Sequence, residues 1–212
     1  HVESEKRYVR KDGSVVWVQR NAVIVPSGGS GTESGPIIVV QIQDITARKD
    51  AEQRLARLAV TDPLTGLDNR HSLMLQIEQM TGRPDGAGML FIDLDGFKIV
   101  NDTFGHKVGD ELLVAVAGRI RATLTPGDVA CRIGGDEFVV IAHSATSPAE
   151  IEAYRTRVKR AVSGDHELPG APVAVTISAS VGSSWTDGGD ITALLRSADD
   201  HMYLDKRLSS QR

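Results

Sequence analysis

Two glycines followed by two carboxylates, Gly134-Gly135-Asp136-Glu137, lie between two apolar segments of the chain. Segments 129–133 and 138–142 are rich in β-branched and apolar residues, which predicts two strands of a hairpin with the glycines in its turn. Glycine lets the backbone come close to a ligand. Carboxylates at such a turn can hold a hard divalent cation through oxygen. The pattern therefore predicts a phosphate and metal site, whereas the same residues in isolation would also fit a hairpin with solvated acids.

A third acid strengthens the metal prediction. Asp93 follows Leu90-Phe91-Ile92 in a segment with the composition of a buried strand, where an acid needs a partner. If that strand lies beside the hairpin, carboxylates from two neighbouring strands meet. A metal held between them could bridge phosphate oxygens and lower the pKa of an attacking hydroxyl.

Four blocks of sequence carry a family resemblance. In chain order they are residues 61–70 (TDPLTGLDNR), 91–102 (FIDLDGFKIVND), 104–110 (FGHKVGD) and 134–138 (GGDEF). Together they resemble the GGDEF family of diguanylate cyclases, over residues 61–206. The resemblance implies the palm-like fold of nucleotidyl cyclases and the condensation of two GTP into cyclic di-GMP with release of two pyrophosphates. It also implies a homodimer, because each catalytic domain presents only one GTP.

The resemblance also implies a metal and catalytic set. The side chains of Asp93 and Asp136 and the backbone carbonyl of Leu94 would bind Mg²⁺ or Mn²⁺, two ions per active site. Glu137 would serve either the metal or the deprotonation step, and both roles stay open. Lys98 would steady the triphosphate as a point charge, with an ordinary surface lysine as the alternative.

Four further residues are the implied substrate contacts: Asn101, His106, Asp110 and Lys206. Asn101 and Asp110 match the guanine readers of the family. An amide offers a donor and an acceptor, and a carboxylate accepts from the N1 and N2 donors that adenine lacks, which favours GTP over ATP. His106 falls in a matching Gly105-His106 pair, with a capping or packing residue as the alternative. Lys206 aligns with a lysine that contacts phosphate.

Two departures from the family pattern affect regulation and phosphate binding. The inhibitory product site of the family is an Arg-x-x-Asp, and here the stretch is Thr125-Pro126-Gly127-Asp128. Threonine lacks the bidentate grip of arginine, so Asp128 belongs to an incomplete allosteric site and product feedback is expected to be weak. The Gly-Arg-Asn that closes the family domain is also absent after Lys206, which weakens the phosphate assignment of that lysine.

Three segments are predicted along the chain. Residues 1–46 contain a hairpin (5–20), a Ser/Gly-rich loop (26–35) and a strand (37–44), and they resemble the last strands of a PAS sensor domain. So small a sheet is expected to hold no haem or flavin. Residues 47–61 are the predicted signalling linker. The pattern over 46–60 predicts a helix whose seam of Ala51, Leu55 and Leu58 could pack on its own domain or on a second copy. Residues 62–212 form the predicted catalytic domain.

The catalytic segment predicts an α+β fold. The expected elements are a helix at 70–80, a strand at 88–95, a long helix somewhere within 99–124, the 129–142 hairpin, a helix opening at Ser147, a strand at 173–185 and a helix at 190–208. Apart from the first helix, the order is β-α-β-β-α-β plus a final helix. That order predicts a mostly antiparallel sheet with helices on one side.

Composition limits the other function classes. The chain has 212 residues and a formal net charge of −4, which argues against a nucleic acid polymer as the main partner. A single cysteine, Cys131, excludes an internal disulfide and suits a cytoplasmic location, and its place in a strand predicts a buried thiol. The longest apolar stretch, 36–40, is too short to cross a bilayer, so this chain is expected to make no membrane contact, with a membrane segment upstream left open.

The sequence leaves two alternative functions open. One is a cyclase with another product, such as a mixed cyclic dinucleotide, which Asp110 disfavours. The other is a catalytically silent, GTP-binding regulatory domain, which the intact acids Asp93, Asp136 and Glu137 disfavour.

Overall fold

The structure, a computed structural model, describes residues 2–25, 36–80, 86–188 and 190–209. The chain divides into two compact units, residues 1–57 and 58–212. The predicted loop at 26–35 lies outside the described residues. Within the described part of the chain, no helix is long and apolar enough to cross a membrane.

The N-terminal unit contains a three-stranded antiparallel sheet. Its strands are β1 (Val2–Val9), β2 (Val15–Val25) and β3 (Ile37–Asp44), in the order β1-β2-β3. The predicted hairpin and third strand are thus confirmed. Gly13 lies in the β1–β2 turn with a φ of 83°, a conformation that favours glycine. All eight residues of β3 are exposed, so this sheet has little core of its own.

The linker helix α1 (Thr46–Val60) coincides with the predicted helix. The Asp44 carboxylate accepts a hydrogen bond from the Thr46 amide (2.9 Å), and the Thr46 hydroxyl accepts one from the Trp17 amide (3.0 Å). Glu5 binds Arg48 and Lys49 at 2.6 and 2.7 Å. These contacts fasten the first turn of α1 to the sheet.

The second unit is built around a six-stranded sheet of order β4-β6-β7-β5-β9-β8. The central strand β5 pairs antiparallel with β7 and β9, and β4 pairs parallel with β6. The mixed α+β fold is confirmed. Its elements are β4 (Asp68–Asn69), α2 (Arg70–Met80), β5 (Ala87–Asp95), α3 (Phe97–Phe104), α4 (His106–Thr123), β6 (Val129–Arg132), β7 (Glu137–Ala142), α5 (Pro148–Val162), β8 (Gly164–His166), β9 (Val175–Thr186) and α6 (Ile191–Ser209).

Helices cover both faces of this sheet, so the expectation of helices on one side is wrong. Leu90 and Ile92 of β5 face a core formed with α4 and α5. Met89 and Phe91 face a second core formed with α2 and α6. The reason is visible in β5, where eight of nine residues are buried, as in a strand covered on both faces. Cys131 is buried in the second core, as predicted, and this burial raises the pKa of its thiol to about 12.

The long helix predicted within 99–124 is confirmed as α4, and the short helix α3 before it was not predicted. Gly105 separates the two helices. This residue has a φ of 84° and a ψ of 161°, which a helix cannot continue through. Its amide donates to the Asn101 carbonyl and closes α3. The short strands β4 and β8 were not predicted, since two or three residues are too few to show an alternation.

Candidate active site

Three acids lie together at one end of the β5–β7 pair. Asp93 of β5 is directly opposite Glu137 of β7. Asp136 precedes Glu137, and its backbone carbonyl accepts a hydrogen bond from the Leu94 amide at 3.3 Å. Asp93 is only 8% exposed, and Asp136 and Glu137 are half-buried. The strand pairing therefore brings together four of the five residues of the predicted metal and catalytic set, and the fifth, Lys98, lies on α3.

The three acids affect one another electrostatically. Burial raises the pKa of Asp136, and the neighbouring Asp93 raises it further. Burial also raises the pKa of Glu137, with additional contributions from Asp93 and Asp136. Ionised carboxylates held this close repel one another, so the site favours the arrival of positive charge.

Lys206 supplies positive charge to this cluster. Its ammonium group lies 2.5 Å from Asp93 Oδ1, and that hydrogen bond raises the pKa of Lys206, as do Asp136 and Asp95. The sequence predicted a phosphate ligand at this position. The structure places the lysine on one of the predicted metal ligands, at the centre of the acidic site.

Arg132 holds the turn that carries the acids. It donates to the Gly135 carbonyl from Nε (3.2 Å) and Nη2 (2.8 Å), and Nη1 contacts Asp62 at 3.1 Å. Asp62 also accepts from the amide and hydroxyl of Thr65. The turn at 133–136 is therefore tied to the segment that opens the second unit.

The two glycines of the turn have different surroundings. A Cβ at Gly134 would lie 2.5 Å from Glu137 Oε2, the flexible end of a side chain. A Cβ at Gly135 would meet no heavy atom within 4 Å. The space beside Gly135 is open, so a ligand can approach the backbone there.

The predicted substrate residues lie on α3 and α4. Lys98 is exposed in the first turn of α3, and His106 is exposed at the first position of α4. The Asn101 carboxamide lies against the backbone of Gly109, where any Cβ would overlap its oxygen. Because Asp110 follows Gly109, the break at Gly105 places both predicted guanine readers at the α3–α4 junction.

A cavity of about 440 Å³ adjoins Asp110. Its size falls in the range of small-molecule sites, and apolar side chains contribute much of its wall. The lining residues are Leu64, Lys107, Asp110, Glu111, Val114, Ala115, Glu167, Leu168 and Pro169. Five apolar residues, three carboxylates and the Lys107 ammonium line this cavity, and its carboxylates suit a flat base that presents N–H donors.

Asp128 has a structural role that the sequence did not indicate. Its carboxylate accepts from the Thr125 amide (3.1 Å), the Ser144 amide and hydroxyl (both 3.0 Å) and the Tyr154 hydroxyl (3.0 Å). The pKa of Tyr154 is raised to about 12, by burial first and by Asp128 second. Both oxygens of the predicted allosteric residue are thus already engaged within the protein.

Sequence reasoning missed several residues near the acids. Asp95 lies near enough to raise the pKa of Lys206 and accepts from the hydroxyls of Ser178 (2.8 Å) and Ser180 (2.7 Å). Arg70 and Asp199 line a cavity of about 390 Å³ that includes Glu137. Asp95 could have been found from its spacing, because residues two positions apart on a strand lie on the same face, as Asp93 and Asp95 do. Asp199 carries no such signal.

The donor set limits how a metal can bind. In the described parts of the chain, no three His, Cys, Asp or Glu side chains are close enough to hold one ion together. Mg²⁺ is nevertheless usually bound through one or two carboxylates, with waters and substrate phosphates completing its shell. Asp93, Asp136 and the Leu94 carbonyl are hard oxygen donors of that kind, so the residues fit the ion.

Residues 59–212 match the family described as "Diguanylate cyclase, GGDEF domain". The chain belongs to the GGDEF family. This confirms the resemblance read from the four sequence blocks, while the PAS resemblance of residues 1–46 remains a prediction.

Individual relatives agree with this assignment. The response regulator PleD of Caulobacter vibrioides is 38% identical over 157 residues, covering 69% of this chain and 34% of PleD. The cyclic di-GMP phosphodiesterase PdeR of Escherichia coli is 35% identical over 196 residues, covering 92% of this chain and 29% of PdeR. The chain thus spans about a third or less of the curated relatives it matches.

A solved structure shows the same fold. The coiled coil and GGDEF domain of DgcB from Caulobacter crescentus, solved in complex with c-di-GMP, superposes with a TM-score of 0.65 at 26% identity. The match covers 77% of this chain and 88% of that structure.

Proposed function

We propose that this GGDEF protein is a diguanylate cyclase that joins two GTP molecules into cyclic di-GMP and releases two pyrophosphates. The observation that carries the proposal is the pairing of Asp93 with Glu137 across β5 and β7, with Asp136 beside them. Two catalytic domains face each other in a homodimer, each holding one GTP. Each 3′-hydroxyl attacks the α-phosphate held opposite.

The site residues have three proposed roles: metal binding, triphosphate binding and proton transfer. Asp93, Asp136 and the Leu94 carbonyl would hold Mg²⁺ or Mn²⁺, two ions per site, and the metal supplies charge neutralisation when bound. Lys98 and Lys206 bind the triphosphate, with Lys206 transferring from Asp93 to phosphate. The raised pKa values of Asp136 and Glu137 suit either carboxylate to accept the proton of the 3′-hydroxyl.

Base selection is assigned to the α3–α4 junction. Asn101 and Asp110 read the guanine edge, and His106 lies beside them at the start of α4. The cavity next to Asp110 receives the base. This arrangement favours GTP, because a carboxylate without guanine donors would lose its partners on binding ATP.

The proposed domain organisation places a PAS-like sensor remnant at 1–46, a signalling linker helix at 47–61 and the catalytic domain at 62–212. Leu55 and Leu58 of the linker are 68% and 50% exposed, which leaves this seam available for a second copy. The cyclase works in the cytoplasm under control of the sensor, with no nucleic acid polymer as partner.

A second candidate is a catalytically silent GTP-binding domain that regulates another protein. The observation in its favour is the ion pair of Lys206 with Asp93, which occupies a predicted metal ligand. The relative PdeR, named as a phosphodiesterase, shows that members of this family occur in proteins with other activities.

Incubation with GTP and MgCl₂, followed by mass spectrometry of the products, separates the two candidates. The cyclase forms cyclic di-GMP from GTP and not from ATP, and Asp136→Asn forms none. Thermal stabilisation by GTP without any cyclic product would instead establish the regulatory function. A mixed dinucleotide from GTP plus ATP would contradict the base assignment alone.

A further inference from the structure

The open edge of β9 is covered by side chains from two helices. β8 pairs with β9 at residues 175–177. Further along, Asp205 of α6 accepts a hydrogen bond from the Val181 amide (2.9 Å), and Arg155 of α5 donates to the Val181 carbonyl (3.2 Å). The Lys159 ammonium of α5 lies 2.5 Å from the same Asp205 oxygen. Both backbone groups of Val181 are thus satisfied by side chains.

A close backbone contact seats α6 on the same strand. A Cβ at Gly182 would overlap the Ala198 carbonyl and the Met202 amide of α6. The helix therefore touches β9 directly, one turn before Asp205. The position of α6 across the sheet is set at Gly182, and the Asp205 contacts lie nearer its C-terminal end.

The location of Asp205 indicates a tertiary role. It lies about one turn from the end of α6, where the helix dipole disfavours an acid. The next residue, Lys206, contacts Asp93 on β5. Successive helical residues point about 100° apart. Contacts at both positions, to two different strands, fix the rotation of the helix about its axis.

We propose that Asp205, held by Lys159 at the edge of β9, is a positioning residue that directs Lys206 into the acidic site. Without Asp205 the last turns of α6 can rotate and fray, and the ammonium of Lys206 loses its fixed place. The effect on GTP rests on the proposed function, in which Lys206 binds phosphate.

Competitive labelling of lysines tests the positioning without any nucleotide. The free protein is treated with trace acetic anhydride, and the acetylation of Lys206 is quantified by mass spectrometry. We expect the labelling rate of Lys206 to rise about tenfold in Asp205→Ala, because loss of one charge-assisted contact is an effect of that order. Lys159→Met should raise it in the same direction, and Lys159→Arg should restore it.

Asp165→Ala is the matched control. Asp165 also accepts from β9, through the Thr176 hydroxyl at 2.6 Å, but near the start of the strand, whereas Asp205 contacts its middle at Val181. Its loss should leave the labelling of Lys206 unchanged. Lys159→Met keeps the Val181–Asp205 hydrogen bond, so it decides the question if Asp205→Ala does not fold. Unchanged labelling of Lys206 in every folded variant among Asp205→Ala and Lys159→Met would overturn the proposal.

Steady-state kinetics extend the test to function. In Asp205→Ala, the KM for GTP should rise about tenfold, with a smaller change in kcat. When Lys206→Met is already present, adding Asp205→Ala should leave the KM unchanged. An equal rise in that background would overturn the proposal. Raised labelling with an unchanged KM would confirm the positioning and contradict phosphate binding by Lys206. A wild-type protein that neither binds nor converts GTP would contradict the proposed function, while the labelling still decides the positioning.

Discussion

At the scale of single residues, the acidic site combines burial with like charge. Asp93, Asp136 and Glu137 lie at one end of two paired strands, and burial together with mutual repulsion raises the pKa of Asp136 and of Glu137. Lys206 offsets part of this charge through Asp93. Without bound ligand, this cluster of like charges destabilises the folded protein. We therefore expect that the acids needed for activity lower the free energy of unfolding.

Asp136→Asn should separate activity from stability. Asp136 is a proposed metal ligand, so its loss should lower turnover of GTP by several orders of magnitude. Because the folded pKa of Asp136 is raised, the folded protein binds its proton more tightly, and the associated stability is lost as pH rises through that pKa. At pH 7 with EDTA, the variant should therefore melt no lower than wild type, and the difference should shrink on acidification. A folded variant with normal turnover would remove Asp136 from the mechanism.

The two glycines of the turn form a matched pair of substitutions. Gly135→Ala places a methyl group in the open space beside the turn, where phosphate is expected, so it should reduce turnover strongly with little effect on melting. Gly134→Ala only displaces the flexible end of Glu137 and should reduce turnover less. Initial rates and thermal melts of both variants decide this, and greater loss in Gly134→Ala would contradict the expected phosphate position.

At the scale of elements, the sequence predicted most helices and strands, and its errors have physical reasons. The apolar runs of β5 and β7 were sufficient to predict these strands. The cap at Ser147 was sufficient to predict the start of α5, and its hydroxyl accepts a hydrogen bond from the Glu150 amide at 3.3 Å. The short helix α3 was missed, because Gly105 separates it from α4 through its backbone conformation. Helices on both faces were missed, although the unbroken apolar run of β5 carried that signal.

The sequence motifs predicted the residues of the candidate site that lie within those motifs, but not the long-range contacts between them. Pairing across β5 and β7 joined Asp93 to Glu137, as the spacing suggested. The contact between Lys206 and Asp93 joins residues 113 positions apart, and the engagement of Asp128 depends on Ser144 and Tyr154. Such contacts arise from tertiary packing and leave no periodic signal in the sequence.

Packing of α6 against β9 depends on the absence of a side chain at Gly182. Gly182→Ala should destabilise the protein by about 3 kcal/mol, since the methyl group meets helix backbone that cannot move independently. Gly118→Ala, at an open position in α4, is the control and should stabilise by about 0.5–1 kcal/mol. Urea unfolding of both variants gives these values, and an unperturbed Gly182→Ala protein would contradict the close contact.

The segment around Asp128 predicts weak product feedback. Its carboxylate is occupied by Thr125, Ser144 and Tyr154, and no arginine stands at position 125. Added cyclic di-GMP should therefore inhibit only weakly, and Thr125→Arg should tighten inhibition by restoring a charge-assisted contact. Initial rates at increasing product concentration, with calorimetry, measure this. Tight product binding by the wild type that is lost in Asp128→Ala would show that the site works without the arginine.

At the scale of the whole molecule, the proposed function gives each catalytic domain one GTP site, and the proposed reaction needs two. The proposed condensation is therefore best tested by measuring pyrophosphate and cyclic di-GMP together across a range of protein concentrations. We expect two pyrophosphates per cyclic di-GMP and a specific activity that rises with concentration as dimers form. GTP binding without release of pyrophosphate at any concentration would contradict it.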